Sequence, residues 1–114
     1  MTEPRKPRID FSTVTPDAYT AELAFDRTVL AGSRKAGVDP ALLHLLKIRA
    51  SQLNGCAFCL DLHSRKARQE GESEQRLAVL SAWWNTPLFT ERERAALALT
   101  EAVTSLPDRQ VPDQ

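Results

Sequence analysis

Both cysteines and both histidines of this 114-residue chain fall within one stretch of twenty residues, from His44 to His63. Cys56 and Cys59 form a C-x-x-C, and His63 follows the second cysteine by four residues. On a helix, an i, i+3 spacing puts the two sulfurs on one side of a turn, close enough to bridge, and an i, i+4 spacing puts Cys59 and His63 on one face. In the first turn, unpaired N–H groups and the positive end of the helix dipole favour a thiolate. An imidazole one turn further on can take a proton from Cys59, or from a water between them, which activates the sulfur for attack. The leading expectation from these residues is a redox dithiol.

His44 is placed by geometry. If Gly55 turns an antiparallel helix pair, His44 lies eleven residues before it and His63 eight after. Their axial offset is then ~4.5 Å at the helical rise, so a relay His44…His63…Cys59 can form. Cys56 would be offset from His44 by ~15 Å. That separation opposes a Cys₂His₂ zinc site, whose ligands must all come within ~2.0–2.3 Å of one metal, although a bent hairpin narrows it. A third reading has the cysteines as small buried apolar groups and the histidines as hydrogen-bonded helix residues.

Composition narrows the class. Lys+Arg and Asp+Glu number 15 each and the sequence pI is about 6.7, which gives no electrostatic reason for binding nucleic acid or a membrane surface. The basic run Arg5, Lys6, Arg8 reads as a solvated tail. No apolar run approaches the ~18–20 residues that span a bilayer, and the N-terminus lacks the apolar core of a signal peptide. The expected location is therefore cytoplasmic, where a C-x-x-C is more often redox-active or metal-binding than a structural bridge.

The elements that must hold the window are all helices. Residues 1–14 are polar and proline-punctuated and read as an extended arm, residues 15–106 as a helical domain, and residues 107–114 as a tail. Thr15-Pro16 is an N-cap followed by proline at the first helical position, Gly37 ends that helix, and Tyr19, Leu23, Phe25, Val29 and Leu30 form its apolar face. Asp39-Pro40 starts a second helix to about residue 54, with Leu42, Leu45, Leu46, Arg49 and Leu53 towards the core. Gly55 stops it. A third helix runs from the cysteines to about Glu70, and Ser73 caps a short fourth carrying Leu77, Leu80, Trp83 and Trp84. Thr90 with Glu93 is a capping box for a fifth, packed through Ala95, Leu97, Ala98, Leu99 and Ala102. No segment alternates as a strand does, so the fold class is all-α.

Three other groups carry plainer expectations. Trp83 and Trp84 should divide between core and subunit interface rather than line a substrate pocket. Lys47 and Arg49 could raise thiolate character from the neighbouring helix, but a solvated or salt-bridged role is preferred. Asp61 should face solvent.

The stretch LLKIRASQLNGCAFCLDLHSRKAR, with the spacing to TPLFTERERAALALTEAV, resembles the alkyl hydroperoxidase D-like proteins of the carboxymuconolactone decarboxylase superfamily. The resemblance covers roughly residues 9–112 and is most specific around 46–68. It implies a helical bundle of about five helices, with the C-x-x-C at the N-terminus of the third. It also implies thiol-dependent peroxidase or disulfide reductase activity without a cofactor or catalytic metal. Cys59 would attack the peroxide, Cys56 would resolve it as a disulfide, and His63 would relay protons. The implied partners are a small hydroperoxide, a dithiol reductant such as a lipoyl-bearing protein, and further copies of the chain in a trimer or hexamer.

Three departures stand out. The family usually has a glutamate twelve residues before the first cysteine, where this chain has His44, and some relatives have a histidine between the cysteines, where this chain has Phe58. Imidazole shuttles protons near neutral pH but carries no negative charge. Relatives also continue past the VPD segment with further helix, so the tail is expected to be truncated relative to the family. Two alternatives stand beside the peroxidase. One is a lactone decarboxylase like the superfamily's namesake, whose members generally lack the C-x-x-C, and the other is a non-catalytic helical or zinc-binding interaction module.

Overall fold

A computed structural model describes residues 8–106 and 111. Those residues form helices and connecting loops: α1 (Phe11–Val14), α2 (Pro16–Lys35), α3 (Pro40–Asn54), α4 (Ala57–Gln69), α5 (Glu74–Val79), a 3₁₀ segment (Leu80–Asn85) and α6 (Glu91–Thr104). The all-α class holds. The short α1 makes the cysteine helix the fourth rather than the third. By packing, the chain divides into two compact units, residues 1–37 and 38–114. Among the described residues, no helix is long and apolar enough to cross a membrane.

In the first unit, part of the expected extended arm is helical. The Asp10 carboxylate accepts the Ser12 N–H at 2.9 Å, which caps the single turn α1. The rest of the arm, residues 1–7, lies outside the described residues, as does the tail apart from Val111. Thr15 precedes α2 without capping it through its side chain, because its hydroxyl donates back to the Phe11 carbonyl at 3.2 Å. Pro16 does occupy the first turn, and Gly37, at φ 81°, follows the helix end. No residue of α2 is buried, and Phe25 is 70% exposed. The face expected to be core is thus a surface here. Periodicity identifies a face that favours burial but not what buries it.

The second unit is built on α3. Asp39 accepts the Ala41 N–H at 2.9 Å and Pro40 fills the first turn. α3 packs against α4, α6 and the 3₁₀ segment. Being covered from more than one side, it buries Leu42, Leu45, Ile48 and Ser51, so the predicted stripe is rotated to include Ile48 and to leave Leu53 exposed. Leu45, Ile48, Ala67, Leu80, Trp83, Phe89 and Leu97 form the core, and Leu46, Leu60, Leu77, Val79 and Leu88 pack around it. Fully burying each of Leu45, Leu80 and Leu97 contributes roughly 1.5–3 kcal/mol.

Polar groups fix the far side of that core. Trp83 is buried and Trp84 is 56% exposed, their rings meeting edge to face. Glu101 of α6 accepts from both Arg49 Nε and Trp83 Nε1 at 2.8 Å, which ties α3 and the 3₁₀ segment to α6. Arg94 donates to the carbonyls of Trp83, Trp84 and Thr86, where the chain kinks out of helix. The Thr90–Glu93 capping box is present in both directions. α6 buries Leu97 and Ala102 and half-buries Glu101, whereas the predicted packing residues Ala95, Ala98 and Leu99 are exposed.

Candidate active site

Gly55 makes the turn on which the site depends. Its φ of 65° lies in the left-handed region, and the Cys56 N–H reaches back to the Ser51 carbonyl at 3.0 Å. This is the glycine-terminated helix end in which the chain reverses while its last carbonyls remain bonded. Cys56 directly follows the Gly55 cap of α3 and, with φ −88° and ψ 97°, is the N-cap of α4.

The cap is a sulfur. Cys56 Sγ accepts the Cys59 N–H at 3.3 Å, a position usually served by an oxygen of Ser, Thr, Asp or Asn. Cys56 and Cys59 are joined by a disulfide with their Cα atoms 5.3 Å apart, inside the roughly 4.4–6.8 Å span of ordinary bridges. The i, i+3 spacing thus brings the sulfurs to one side of the turn, as the residue types require. Phe58, between them, is 77% exposed.

His63 stands one turn along α4 from Cys59, and His44 of α3 faces it with ring centroids 6.1 Å apart and planes tilted by 32°. At that separation the ring nitrogens are beyond direct hydrogen-bond reach. The Nδ1 atoms of both rings are buried, and that of His44 has no hydrogen-bond partner among the described residues. Burial, followed by the positive charges of Lys47 and Lys66, pushes the His44 pKa down, while Glu70 acts in the opposite sense. His44 is thus biased towards the neutral form, an acceptor rather than a fixed cation.

The hairpin brings His44 to His63 and holds Cys56 at the N-cap of α4, with Cys59 and His63 on its first turns. Lys66 and Glu70 were not singled out from the sequence, yet both act on His44. They continue the face 59, 63, 66, 70, and following the helical period past His63 finds them. Arg49 is engaged with Glu101 and Gln52, in keeping with the salt-bridged expectation, and Asp61 is exposed and pairs with Arg65 at 3.2 Å. A groove of about 350 Å³ between α3, α4 and α5 is lined by Ile48, Leu60, Ser64, Arg68 and Leu77 among others, and by none of the four predicted site residues. Among the described residues, no group of three or more His, Cys, Asp or Glu is placed to hold a metal ion.

Residues 16–102 match the carboxymuconolactone decarboxylase family. The chain is 35% identical over 107 residues to the uncharacterized protein YdfG of Bacillus subtilis, spanning 94% of this chain and 70% of that protein. It is 32% identical over 74 residues to the uncharacterized protein YnjA of Escherichia coli, spanning 65% of this chain and 41% of that one. The crystal structure of ATU0492 from Agrobacterium tumefaciens, a protein of unknown function described as a candidate antioxidant defence protein AhpD, superposes with a TM-score of 0.83 at 39% identity. The match covers 95% of this chain and 71% of that one.

Proposed function

The chain is an alkyl hydroperoxidase D-like member of the carboxymuconolactone decarboxylase family, and from that premise we propose that it is a thiol-dependent peroxidase and disulfide reductase. The observation that carries the reading is the Cys56–Cys59 bridge at the start of α4, with His63 one turn beyond Cys59 and His44 opposite it.

In this mechanism the Cys59 thiolate attacks one oxygen of a hydroperoxide, the O–O bond breaks, and alcohol or water leaves as Cys59 becomes a sulfenic acid. His63 takes the Cys59 proton and delivers it to the leaving oxygen, and His44 exchanges protons with His63 through a bridging water. Cys56 then attacks the sulfenic sulfur, water leaves, and the disulfide forms. A dithiol reductant, of which a lipoyl-bearing protein is one kind, restores the two thiols by exchange. The exposed apolar residues of α2, with Leu99 and Val103 of α6, support a homo-oligomer, which the family resemblance puts at a trimer or hexamer.

The test is a free-thiol titration of the reduced, metal-free protein before and after one equivalent of an organic hydroperoxide. Loss of both thiols with only the ~2 Da decrease of a disulfide supports the reading. Cys59→Ser should then abolish peroxide consumption, and Cys56→Ser should leave a sulfenic acid that dimedone captures. Full turnover in Cys59→Ser refutes the assignment.

A further inference from the structure

The two sulfurs differ in what waits for them when the bridge opens. Cys56 lies outside α4 at its N-cap, and its Sγ already accepts the Cys59 N–H at 3.3 Å. A charge left on that sulfur is met by an N–H in place and by the dipole of a 13-residue helix, and it needs no proton to be stable there. Cys59 lies inside the first turn, and the titratable group one turn from it is His63. Expulsion of Cys59 would draw on a proton from that imidazole, which expulsion of Cys56 does not require.

Resting on the dithiol reading above, we infer that exchange with an external thiol runs in one direction across this bridge: the incoming sulfur bonds to Cys59, and Cys56 is expelled as the thiolate. Exchange is faster when the leaving thiol has the lower pKa, so an asymmetry in thiolate stability becomes an asymmetry in which sulfur is attacked. Phe58, exposed immediately before Cys59, gives the entering reductant an apolar surface beside the sulfur it attacks.

One thiolate of a dithiol reductant attacks Cys59 Sγ, the Cys56–Cys59 bond breaks, and its electron pair stays on Cys56. The reductant's second thiol loses its proton and attacks the reductant sulfur held on Cys59. That closes the reductant's own disulfide and expels Cys59, which takes up a proton. One dithiol is oxidised and one protein disulfide is reduced, a two-electron transfer. The same ordering serves the oxidising half, in which the Cys56 thiolate attacks the Cys59 sulfenic acid.

The inference is tested on the full-length oxidised protein. It is mixed with a limiting monothiol such as glutathione, quenched with iodoacetamide, and sequenced by fragment masses across the peptide that holds both cysteines. Glutathione on Cys59 with alkylated Cys56 is expected, and glutathione on Cys56 or equally on both overturns the inference. If back-attack empties the mixed disulfide too quickly to trap it, the single-cysteine variants decide. The thiolate of Cys56 in Cys59→Ser, read by absorbance or by alkylation rate against pH, should form below the ordinary ~8.5 and below that of Cys59 in Cys56→Ser. The reverse order overturns the inference. Because exchange is read without peroxide, a chain that consumes no peroxide but exchanges in this order would refute only the peroxidase reading.

Discussion

The imidazole of His44 on α3 lies 6.1 Å from that of His63 on α4, centroid to centroid, across the hairpin that Gly55 turns. The pair joins a residue one turn from Cys59 to a residue on the neighbouring helix that burial and two lysines bias towards its neutral form. In the proposed relay a neutral ring at position 44 would accept a proton from His63, whereas a carboxylate there would favour the charged form of His63.

That difference is measurable. His63→Gln should slow peroxide consumption by roughly 10²–10⁴-fold, the usual worth of a positioned acid–base group, while leaving the dithiol reducible by dithiothreitol. His44→Glu should raise the pH at which His63 loses its proton, because it places a negative charge beside the ring. An NMR titration of His63 in the two proteins reads the shift, and an unchanged curve would show that the residues are not coupled.

His44 also ties stability to pH. Its folded pKa lies below the 6.5 of a free imidazole, so at pH values between the two the unfolded chain binds more protons than the folded one. The contribution of His44 is present above pH 6.5 and is lost as the pH falls through its folded value. Chemical denaturation of the wild type should therefore show a decline in stability on acidification below about pH 6.5. In His44→Gln that decline should be shallower, and an equally steep one would assign it to other groups.

Glu101 accepts two hydrogen bonds on one oxygen, from Arg49 and from Trp83, and both charged side chains are largely out of solvent. Glu101→Ala leaves a guanidinium and an indole N–H unpaired, and it should cost roughly 2–4 kcal/mol, between the value of a charged hydrogen bond and that of a broken buried pair. Glu101→Gln keeps an acceptor and should cost less. Equal losses in urea unfolding of the two variants would remove the charge from the explanation.

Gly55→Ala tests the turn itself. An added Cβ meets nothing within 4 Å, so its penalty is the left-handed backbone alone, about 1–2 kcal/mol. If the turn also sets the cap, the rate of disulfide exchange should change together with stability. An altered stability with an unaltered exchange rate would separate the two.

The sequence makes the hairpin legible because its signals are local. Asp39-Pro40, Gly55 and the 56, 59, 63 spacing each act over a turn or two, and each is found where its chemistry requires. What it does not show is what covers a helix. Ile48 replaces Leu53 in the core because α3 is covered by more than one neighbour, and the apolar face of α2 is exposed, neither of which a period can express. Glu101 escaped notice for a related reason. A carboxylate four residues beyond Leu97 reads as solvent-facing until Arg49 and Trp83, remote in sequence, come within reach of it.

α3 divides its labour by face. Leu45 and Ile48 are locked in the core, while His44 and Lys47, on adjoining positions, are half-buried, and His44 faces His63 of α4. A helix arranged in this way can change its reagent without rebuilding its foundation. A substitution at position 44 therefore alters the charge facing His63 while leaving the Leu45 and Ile48 core contacts in place.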